Sequence, residues 1–223
     1  MSHHVMPHET SIVPDHEMAV WLARLTIAGI VLYLILDVIA QLLPPHYSPI
    51  HQAESDLAVG HYGYVMTINF VVRGFLSFAL LFSLTHELPL PAHSRFGQIA
   101  LGIWSAGAFL LALFPADVTS GHHTFHGVVH IVVAVIAFAS VATAEVLISR
   151  KLSTTNWPAK TRALFTTLAL WTALTLLLLA LSSARPRVGG LFERLFIASA
   201  LLWMLMVALQ IAFGSTPAMA PTP

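Results

Sequence analysis

The chain of 223 residues is divided into long apolar stretches separated by short polar ones. A bilayer core about 30 Å thick requires roughly 20 apolar residues in each helix that crosses it. Stretches of that length cover about residues 19–42, 62–86, 96–114, 124–148, 163–183 and 190–213. They do not alternate in polarity as the strands of a membrane barrel do. The pattern predicts an all-α integral membrane protein in which six transmembrane helices form a bundle.

The ends of these stretches coincide with residues that interrupt helices, since proline lacks a backbone donor and glycine favours helix termination. The interrupting residues are Pro44, Pro45, Pro89, Pro91, Pro115, Pro158, Pro186, Gly214 and Pro217. We therefore expect one transmembrane domain over 19–213, with a disordered, histidine-rich tail at 1–18 and a second disordered tail at 214–223. The first stretch begins too late and runs too long for a cleaved signal peptide, so we expect it to be retained.

Composition supports a membrane location and narrows the chemistry. Hydrophobic residues make up 57% of the chain and charged residues 9%, against about 25% charged residues in an average soluble domain. Lys+Arg and Asp+Glu number 10 each, with no basic tract to neutralise phosphates, so we expect no nucleic-acid partner. The absence of cysteine excludes disulfides and thiolate metal ligands.

Lysine and arginine are distributed unevenly between the two ends of the predicted bundle. The end that carries both termini has Arg24, Arg95, Arg150, Lys151, Lys160 and Arg162. The opposite end has Arg185, Arg187 and Arg194. Positive residues favour the cytoplasmic side of a membrane. We therefore expect a multi-pass protein of the plasma (inner) membrane with cytoplasmic termini, and with the first, third and fifth connections outside.

Histidine is unexpectedly frequent, with thirteen copies in a charge-poor chain. By this topology seven histidines lie at the outer face, namely His46, His51, His61, His122, His123, His126 and His130. His126 and His130 are four residues apart on a predicted helix, so their side chains face the same way and can share a metal ion. His122 lies one turn earlier. With Asp117, Asp56 or His51 as a further ligand, these residues predict a zinc site.

A zinc site of this kind suggests a first function. Zinc-bound water is a hydrolytic nucleophile, Asp56 or Asp117 can act as its general base, and Ser55 can orient the substrate. The hypothesis is a metal-dependent hydrolase that acts on a lipid or lipid-linked substrate at the outer leaflet. In the alternative interpretation, the histidines are amphipathic rings at the membrane interface, and Asp117 caps the fourth helix.

Charged residues inside the spans are costly and therefore informative. Arg73 lies about halfway along the second span, with Asn69 one turn away, and Asp37 lies in the outer half of the first span. Asp37 and Arg73 can form a structural ion pair, as can Glu193 and Arg194 at the start of the sixth span. In the functional alternative, Arg73 points into a cavity and, with Asn69, binds an anionic group such as a lipid phosphate or a carboxylate.

This alternative leads to a second function of a different class. The protein would be non-enzymatic, binding membrane lipids through Arg73 or serving as an accessory subunit of a larger membrane complex with partner proteins. A haem carrier is disfavoured, because it needs histidines from two helices at membrane depth and only His126 and His130 lie inside a span.

Several short motifs together resemble a known family. They are Ser55-Asp-Leu-Ala-Val-Gly60, Asn69-Phe-Val-Val-Arg-Gly74, Phe114-Pro-Ala-Asp117, His126-Gly-Val-Val-His130 and Gly190-Leu-Phe-Glu-Arg194. In this order they resemble the domain-of-unknown-function family 998, over about residues 20 to 213. The resemblance implies a prokaryotic integral membrane protein with about six helices, and it implies no activity.

The His126/His130 pair is also similar to the paired histidines of alkaline ceramidases and adiponectin-type receptors. Those membrane hydrolases hold zinc with three histidines beside a serine and an aspartate. They have seven helices and place the histidine pair on a late helix. Their serine precedes a histidine by four residues, whereas His51 here precedes Ser55.

Overall fold

The structure is a computed structural model that describes residues 15–117, 124–182 and 188–215. These ranges contain six long α-helices, two short 3-10 helices (η) and no β-strand. In chain order the elements are α1 (His16–Leu42), η1 (Glu54–Ala58), α2 (Gly63–Glu87), η2 (Leu90–Ala92), α3 (Arg95–Leu113), α4 (Phe125–Leu152), α5 (Ala159–Ser182) and α6 (Gly189–Phe213). Each long helix is apolar and long enough to cross a bilayer. The predicted fold class, an all-α six-helix integral membrane protein, is confirmed.

The helix ends differ from the predicted spans where polar residues extend a helix. Helix α1 begins at His16, earlier than the apolar pattern indicated, because the side chain of Asp15 accepts a hydrogen bond from the Met18 N–H at 3.1 Å. Helix α4 continues to Leu152. Its last turn carries Arg150 and Lys151, where cations interact favourably with the helix dipole. Residues 1–14 and 216–223 of the predicted tails lie outside the described residues.

Successive helices run antiparallel and pack side by side, and α1 also packs against α6. Small residues allow the close approaches, as expected where helices associate without water. A Cβ atom on Gly29 would lie 2.7 Å from the Leu76 Cβ, and one on Gly107 would lie 2.9 Å from the Ala137 Cβ. The termini end of the bundle is the end at which α1 begins and α6 finishes. The η1 end is the opposite one.

Large buried side chains fill the termini end. Trp157, Phe165 and Trp203 are almost completely buried there. The Trp203 indole N–H donates to the Ser149 hydroxyl at 2.9 Å, and that hydroxyl donates to the Phe165 carbonyl at 3.2 Å. These contacts join α4, α5 and α6.

The first connection folds back over the η1 end. The Tyr47 hydroxyl bonds to the Gln52 carbonyl at 2.8 Å, which closes the loop on itself. The Leu191 N–H donates to the Ile50 carbonyl at 3.0 Å. Gly190 lies directly against the Gln52 carbonyl, where a Cβ atom does not fit. The connection is therefore fixed to the first turn of α6, and this attachment holds η1 across the ends of the helices.

Candidate functional site

A cavity of about 540 Å³ lies inside the η1 end, bounded by the first connection and by helices α2 to α6. Its walls are mostly aliphatic and aromatic side chains, including Phe70, Leu111 and Phe138. Its polar lining consists of His51, Glu54, Ser55, Asp56, Arg73, His130, Ser182 and Glu193. Concave sites of this size with apolar walls and a few polar groups are typical of small-molecule binding.

Arg73 is the least expected of the polar lining residues. Only 1% of its surface is exposed, and its guanidinium carbon lies 4.5 Å from the ring centre of Trp104 and 5.1 Å from that of Phe70. Among the described residues, Nε and Nη2 of Arg73 have no hydrogen-bond partner. Asn69 is completely buried one turn earlier, and its side-chain oxygen also lacks a partner there. Leaving buried polar groups without hydrogen bonds costs free energy, so Arg73 can still bind an acceptor in the cavity. Asn69 is not part of the cavity lining.

Glu54 connects η1 to two helices. It is 3% exposed, and its carboxyl accepts a hydrogen bond from the hydroxyl of Tyr33 on α1. Its backbone N–H donates to Oε2 of Glu193 on α6 at 3.3 Å. Burial raises the pKa of Glu54 and the charge of Asp37 raises it further, whereas the Tyr33 hydrogen bond and the nearby Arg73 lower it. The Glu54 carboxyl is thus placed deep in the bundle beside the cavity.

Ser55 and Asp56 follow Glu54 in η1 and line the same cavity. Burial raises the pKa of Asp56, while a backbone hydrogen bond from Ala53 and the charge of Arg194 lower it. The structure therefore brings Ser55 and Asp56 to one cavity with Arg73, His130 and Glu193. The sequence suggested the first four as functional residues and Glu193 as a member of an ion pair.

His130 is 5% exposed, and its ring nitrogen Nδ1 lies 2.7 Å from the Phe114 carbonyl oxygen. A carbonyl oxygen only accepts hydrogen bonds, so Nδ1 carries the proton. In a neutral imidazole the other nitrogen, Nε2, then has the free lone pair. His130 therefore brings a hydrogen-bond acceptor, and a potential base, to the cavity.

Of the other two histidines suggested as zinc ligands, His126 alone belongs to the described part of the chain. His126 is exposed, its ring packs against Phe114 at 5.5 Å between centres, and it is not part of the cavity lining. His122 lies outside the described residues. Within 15–117, 124–182 and 188–215, no group of three or more His, Asp or Glu side chains is arranged to hold a metal ion. Zinc binding stays a prediction.

Asp117 lies at the start of α4 and is not part of the cavity lining. Its carboxyl accepts hydrogen bonds from the Thr124 N–H at 2.8 Å and from the Thr124 hydroxyl at 2.7 Å. Thr124 in turn caps α4 by accepting from the Gly127 N–H at 3.1 Å. The residue that caps α4 is therefore Thr124 and not Asp117, which instead holds Thr124 in place. The role of Asp117 as a general base stays a prediction.

The charges predicted to form ion pairs are arranged differently. No ion pair of 4.0 Å or less joins Asp37 to Arg73, or Glu193 to Arg194, in the described parts of the chain. The Asp37 carboxyl accepts from the Gln41 side chain at 2.6 Å. The Arg73 guanidinium instead lies close to the rings of Trp104 and Phe70. Neighbouring residues on a helix point in different directions, so Glu193 faces the cavity while Arg194 lies 5.0 Å from the ring centre of Tyr47.

The cavity reaches the outside of the bundle beside α4. Ile131 and Val135 line it, yet they are 54% and 63% exposed. Leu179 and Ala180 of α5 line the same region. The space between α4 and α5 is therefore continuous with the surface that faces lipid.

Sequence reasoning missed Glu54 and Ser182 of the cavity lining, and it missed Tyr33, which is bonded to Glu54 but is not part of that lining. Glu54 directly precedes the suggested Ser55-Asp56 pair, so a systematic survey of acidic residues in the first connection would have included it. Tyr33 lies in an apolar stretch without any distinguishing pattern. Only the folded position of η1 brings Glu54 to Tyr33.

Comparison with known proteins gives one match. A family model described as "Protein of unknown function (DUF998)" matches residues 27–210 of the chain. No curated protein matches, and no solved structure matches.

Proposed function

The chain belongs to the DUF998 family of proteins of unknown function, and we propose from its cavity that it binds a membrane lipid whose anionic oxygen group contacts Arg73. One observation carries the proposal: Arg73 is buried in the lining of the cavity with two nitrogens that lack partners among the described residues. Guanidinium groups bind phosphate and carboxylate oxygens with two parallel hydrogen bonds. A ligand oxygen would supply the missing acceptors.

The walls of the cavity indicate an amphiphile rather than a small ion. Phe70, Leu111 and Phe138 surround the polar lining with apolar surface. A volume of about 540 Å³ accommodates a headgroup and the start of the acyl chains. The opening at Ile131 and Val135 gives the remaining chain length a route to the lipid phase.

The test is lipid binding by the full-length protein in detergent micelles, with phosphatidylglycerol as the probe and native mass spectrometry as the readout. Arg73→Gln is expected to weaken binding by about tenfold or more, since a hydrogen bond to a charged group contributes about 1.5–3 kcal/mol. Arg24→Gln is the matched control, because Arg24 also lies over an aromatic ring, that of Trp21, at the termini end. Equal binding by wild type and Arg73→Gln would contradict the proposal.

A second variant keeps the proposal testable if Arg73→Gln does not fold. Val135→Trp places a large side chain at the opening beside α4, at a position that is already 63% exposed. It is expected to reduce lipid binding without lowering the midpoint of thermal unfolding. Unchanged binding by Val135→Trp would contradict entry of the lipid beside α4.

Hydrolysis of the bound lipid is a second candidate function. His130, with Nε2 as an acceptor, lines the cavity together with Ser55 and Asp56. Such a nitrogen can remove a proton from a hydroxyl or a water molecule. The test is release of headgroup or fatty acid from the bound lipid, which His130→Gln should abolish. If the wild type shows no turnover, lipid binding alone remains as the function. Elemental analysis of the purified protein tests the separate zinc prediction.

We also propose that the bundle lies in the plasma membrane with both termini cytoplasmic, on the basis of the distribution of lysine and arginine. Since the chain has no cysteine, labelling of a single introduced cysteine shows on which side of the membrane that residue lies. A membrane-impermeant maleimide added to intact cells should label His46→Cys at the η1 end and spare Thr154→Cys at the termini end. Labelling of Thr154→Cys alone would show that the termini end faces outward, and would contradict the proposed orientation.

A further inference from the structure

We propose that the polar part of the cavity recognises a zwitterionic group, in which an anionic oxygen group is joined to an ammonium group, as in the headgroup of phosphatidylethanolamine. The inference rests on the lipid-binding function proposed above and adds a second recognition element to it. Arg73 would bind the anionic oxygens, and the acidic side chains that line the same cavity would bind the ammonium.

The charges that line the cavity are unequal in number. Among the described residues Arg73 is the one lysine or arginine in the lining, whereas Glu54, Asp56 and Glu193 are all part of it. No ion pair of 4.0 Å or less joins Arg73 to any of these carboxyls in the ranges that the structure describes. Arg73 is nevertheless close enough to Glu54 to influence it electrostatically. The cation and the carboxyls thus face one space without contacting each other.

A purely anionic headgroup suits this arrangement poorly. It would satisfy Arg73, but the three acidic groups could not ionise beside it, since like charges in a poorly solvated site repel strongly. A zwitterion removes the conflict, because its ammonium group places N–H donors beside the carboxyls while its oxygens reach Arg73. The same ligand then compensates both kinds of buried charge.

The acidic residues retain the capacity to accept further hydrogen bonds. The carboxyl of Glu54 accepts from Tyr33, and that of Glu193 accepts from the Glu54 N–H. A carboxylate has about four lone-pair sites, so each of these groups has sites left for an ammonium. The bond from the Glu54 backbone also keeps Glu193 beside η1, which places two acidic side chains on the same side of the cavity.

The experiment compares phosphatidylethanolamine with phosphatidylglycerol of identical acyl chains, each titrated into the full-length protein and measured by native mass spectrometry. Wild type is expected to bind phosphatidylethanolamine about tenfold more tightly, the effect of a charge-assisted hydrogen bond. Glu193→Gln should lose this preference and still bind phosphatidylglycerol. Glu145→Gln is the matched control, because Glu145 is a buried acid of α4 outside the cavity lining, and it should keep the preference.

The outcomes separate this inference from the proposed function. Equal or tighter binding of phosphatidylglycerol, with loss of both lipids in Arg73→Gln, overturns the zwitterion and leaves lipid binding intact. Unchanged binding of both lipids in Arg73→Gln overturns the function itself. Free glycerophosphoethanolamine is the third arm: if it displaces the lipid at equal concentration, the paired charges are supported but a soluble zwitterion replaces the lipid as ligand.

Discussion

Buried ionisable groups have different surroundings at the two ends of the bundle. At the termini end Glu87 and Glu145 are 1% and 0% exposed, and Glu87 contacts the His16 ring at 2.8 Å. The same end also holds large buried side chains such as Trp157 and Trp203. At the η1 end the acidic residues and Arg73 instead line an open cavity.

The difference shows which feature points to a ligand. At the termini end Oε1 of Glu87 lacks a hydrogen-bond partner among the described residues, as two nitrogens of Arg73 do at the η1 end, so unsatisfied buried groups occur at both ends. Among the described residues, only Arg73 combines an unsatisfied buried group with a place in the lining of the cavity. The cavity therefore marks the η1 end as the binding end of the bundle, and substitutions at the two ends can test this difference.

Truncation of a packed side chain at the termini end should have the largest effect on stability. Phe165 is completely buried, so Phe165→Ala should lower the free energy of unfolding by about 3–5 kcal/mol. Leu170→Ala, at a position 58% exposed on the same helix, should change it by less than about 0.5 kcal/mol. Chemical unfolding in mixed micelles measures both. Equal losses of stability in Phe165→Ala and Leu170→Ala would mean that the termini end is not tightly packed around Phe165.

A methyl group at Gly190 should separate the first connection from α6. Its Cβ would collide with the Gln52 carbonyl, and overpacking of this kind costs about 1–3 kcal/mol. Gly189→Ala is the matched control, because a Cβ there meets no atom within 4 Å. Thermal unfolding and lipid binding should both be weakened by Gly190→Ala. If the two variants behave alike, the connection does not close the cavity.

Removal of the Asp117 carboxyl should destabilise α4 without affecting the cavity. Asp117→Ala should lower the free energy of unfolding by about 1 kcal/mol, the typical contribution of a helix-capping group, and should leave lipid binding unchanged. Ser48→Ala, in the first connection, is a control for a general loss of polar contacts. Full stability together with lost lipid turnover would instead identify Asp117 as a catalytic residue.

The acidic residues at the η1 end should make stability dependent on pH. Burial raises the pKa of Glu54, so the folded protein holds this proton more tightly than the unfolded chain does. Its contribution to stability is complete below the ordinary pKa of glutamate and is lost as the pH rises through the raised value. Glu54→Gln should therefore show a smaller decline in Tm between acidic and neutral pH than wild type. A steeper decline of Tm in Glu54→Gln than in wild type would contradict the raised pKa of Glu54.

The fold could be predicted from the sequence because a bilayer imposes a length and a polarity on each span. Arg73, Ser55, Asp56, His130 and Glu193 could also be suggested as site residues, since charged groups in a membrane span are costly and polar residues cluster in the connections.

The contacts within the site could not be predicted, because they depend on how η1 folds back between the helices. The topology suggested that Asp37 would neutralise Arg73, but Arg73 is held by Phe70 and Trp104 instead. Glu54 reaches Tyr33 only through the path of the first connection. Neither arrangement has a periodic signal in the sequence.

The most direct test of the central claim is to locate a bound lipid by photocrosslinking. A phospholipid with a photoactivatable group next to its headgroup is incorporated into vesicles with the full-length protein, irradiated, and the labelled residues are identified by peptide mass spectrometry. The account predicts labels on the cavity lining at Ile131 and Ala134, lost in Arg73→Gln and kept in Arg24→Gln. Labels confined to lipid-facing residues such as Leu32, with no change in Arg73→Gln, would contradict it.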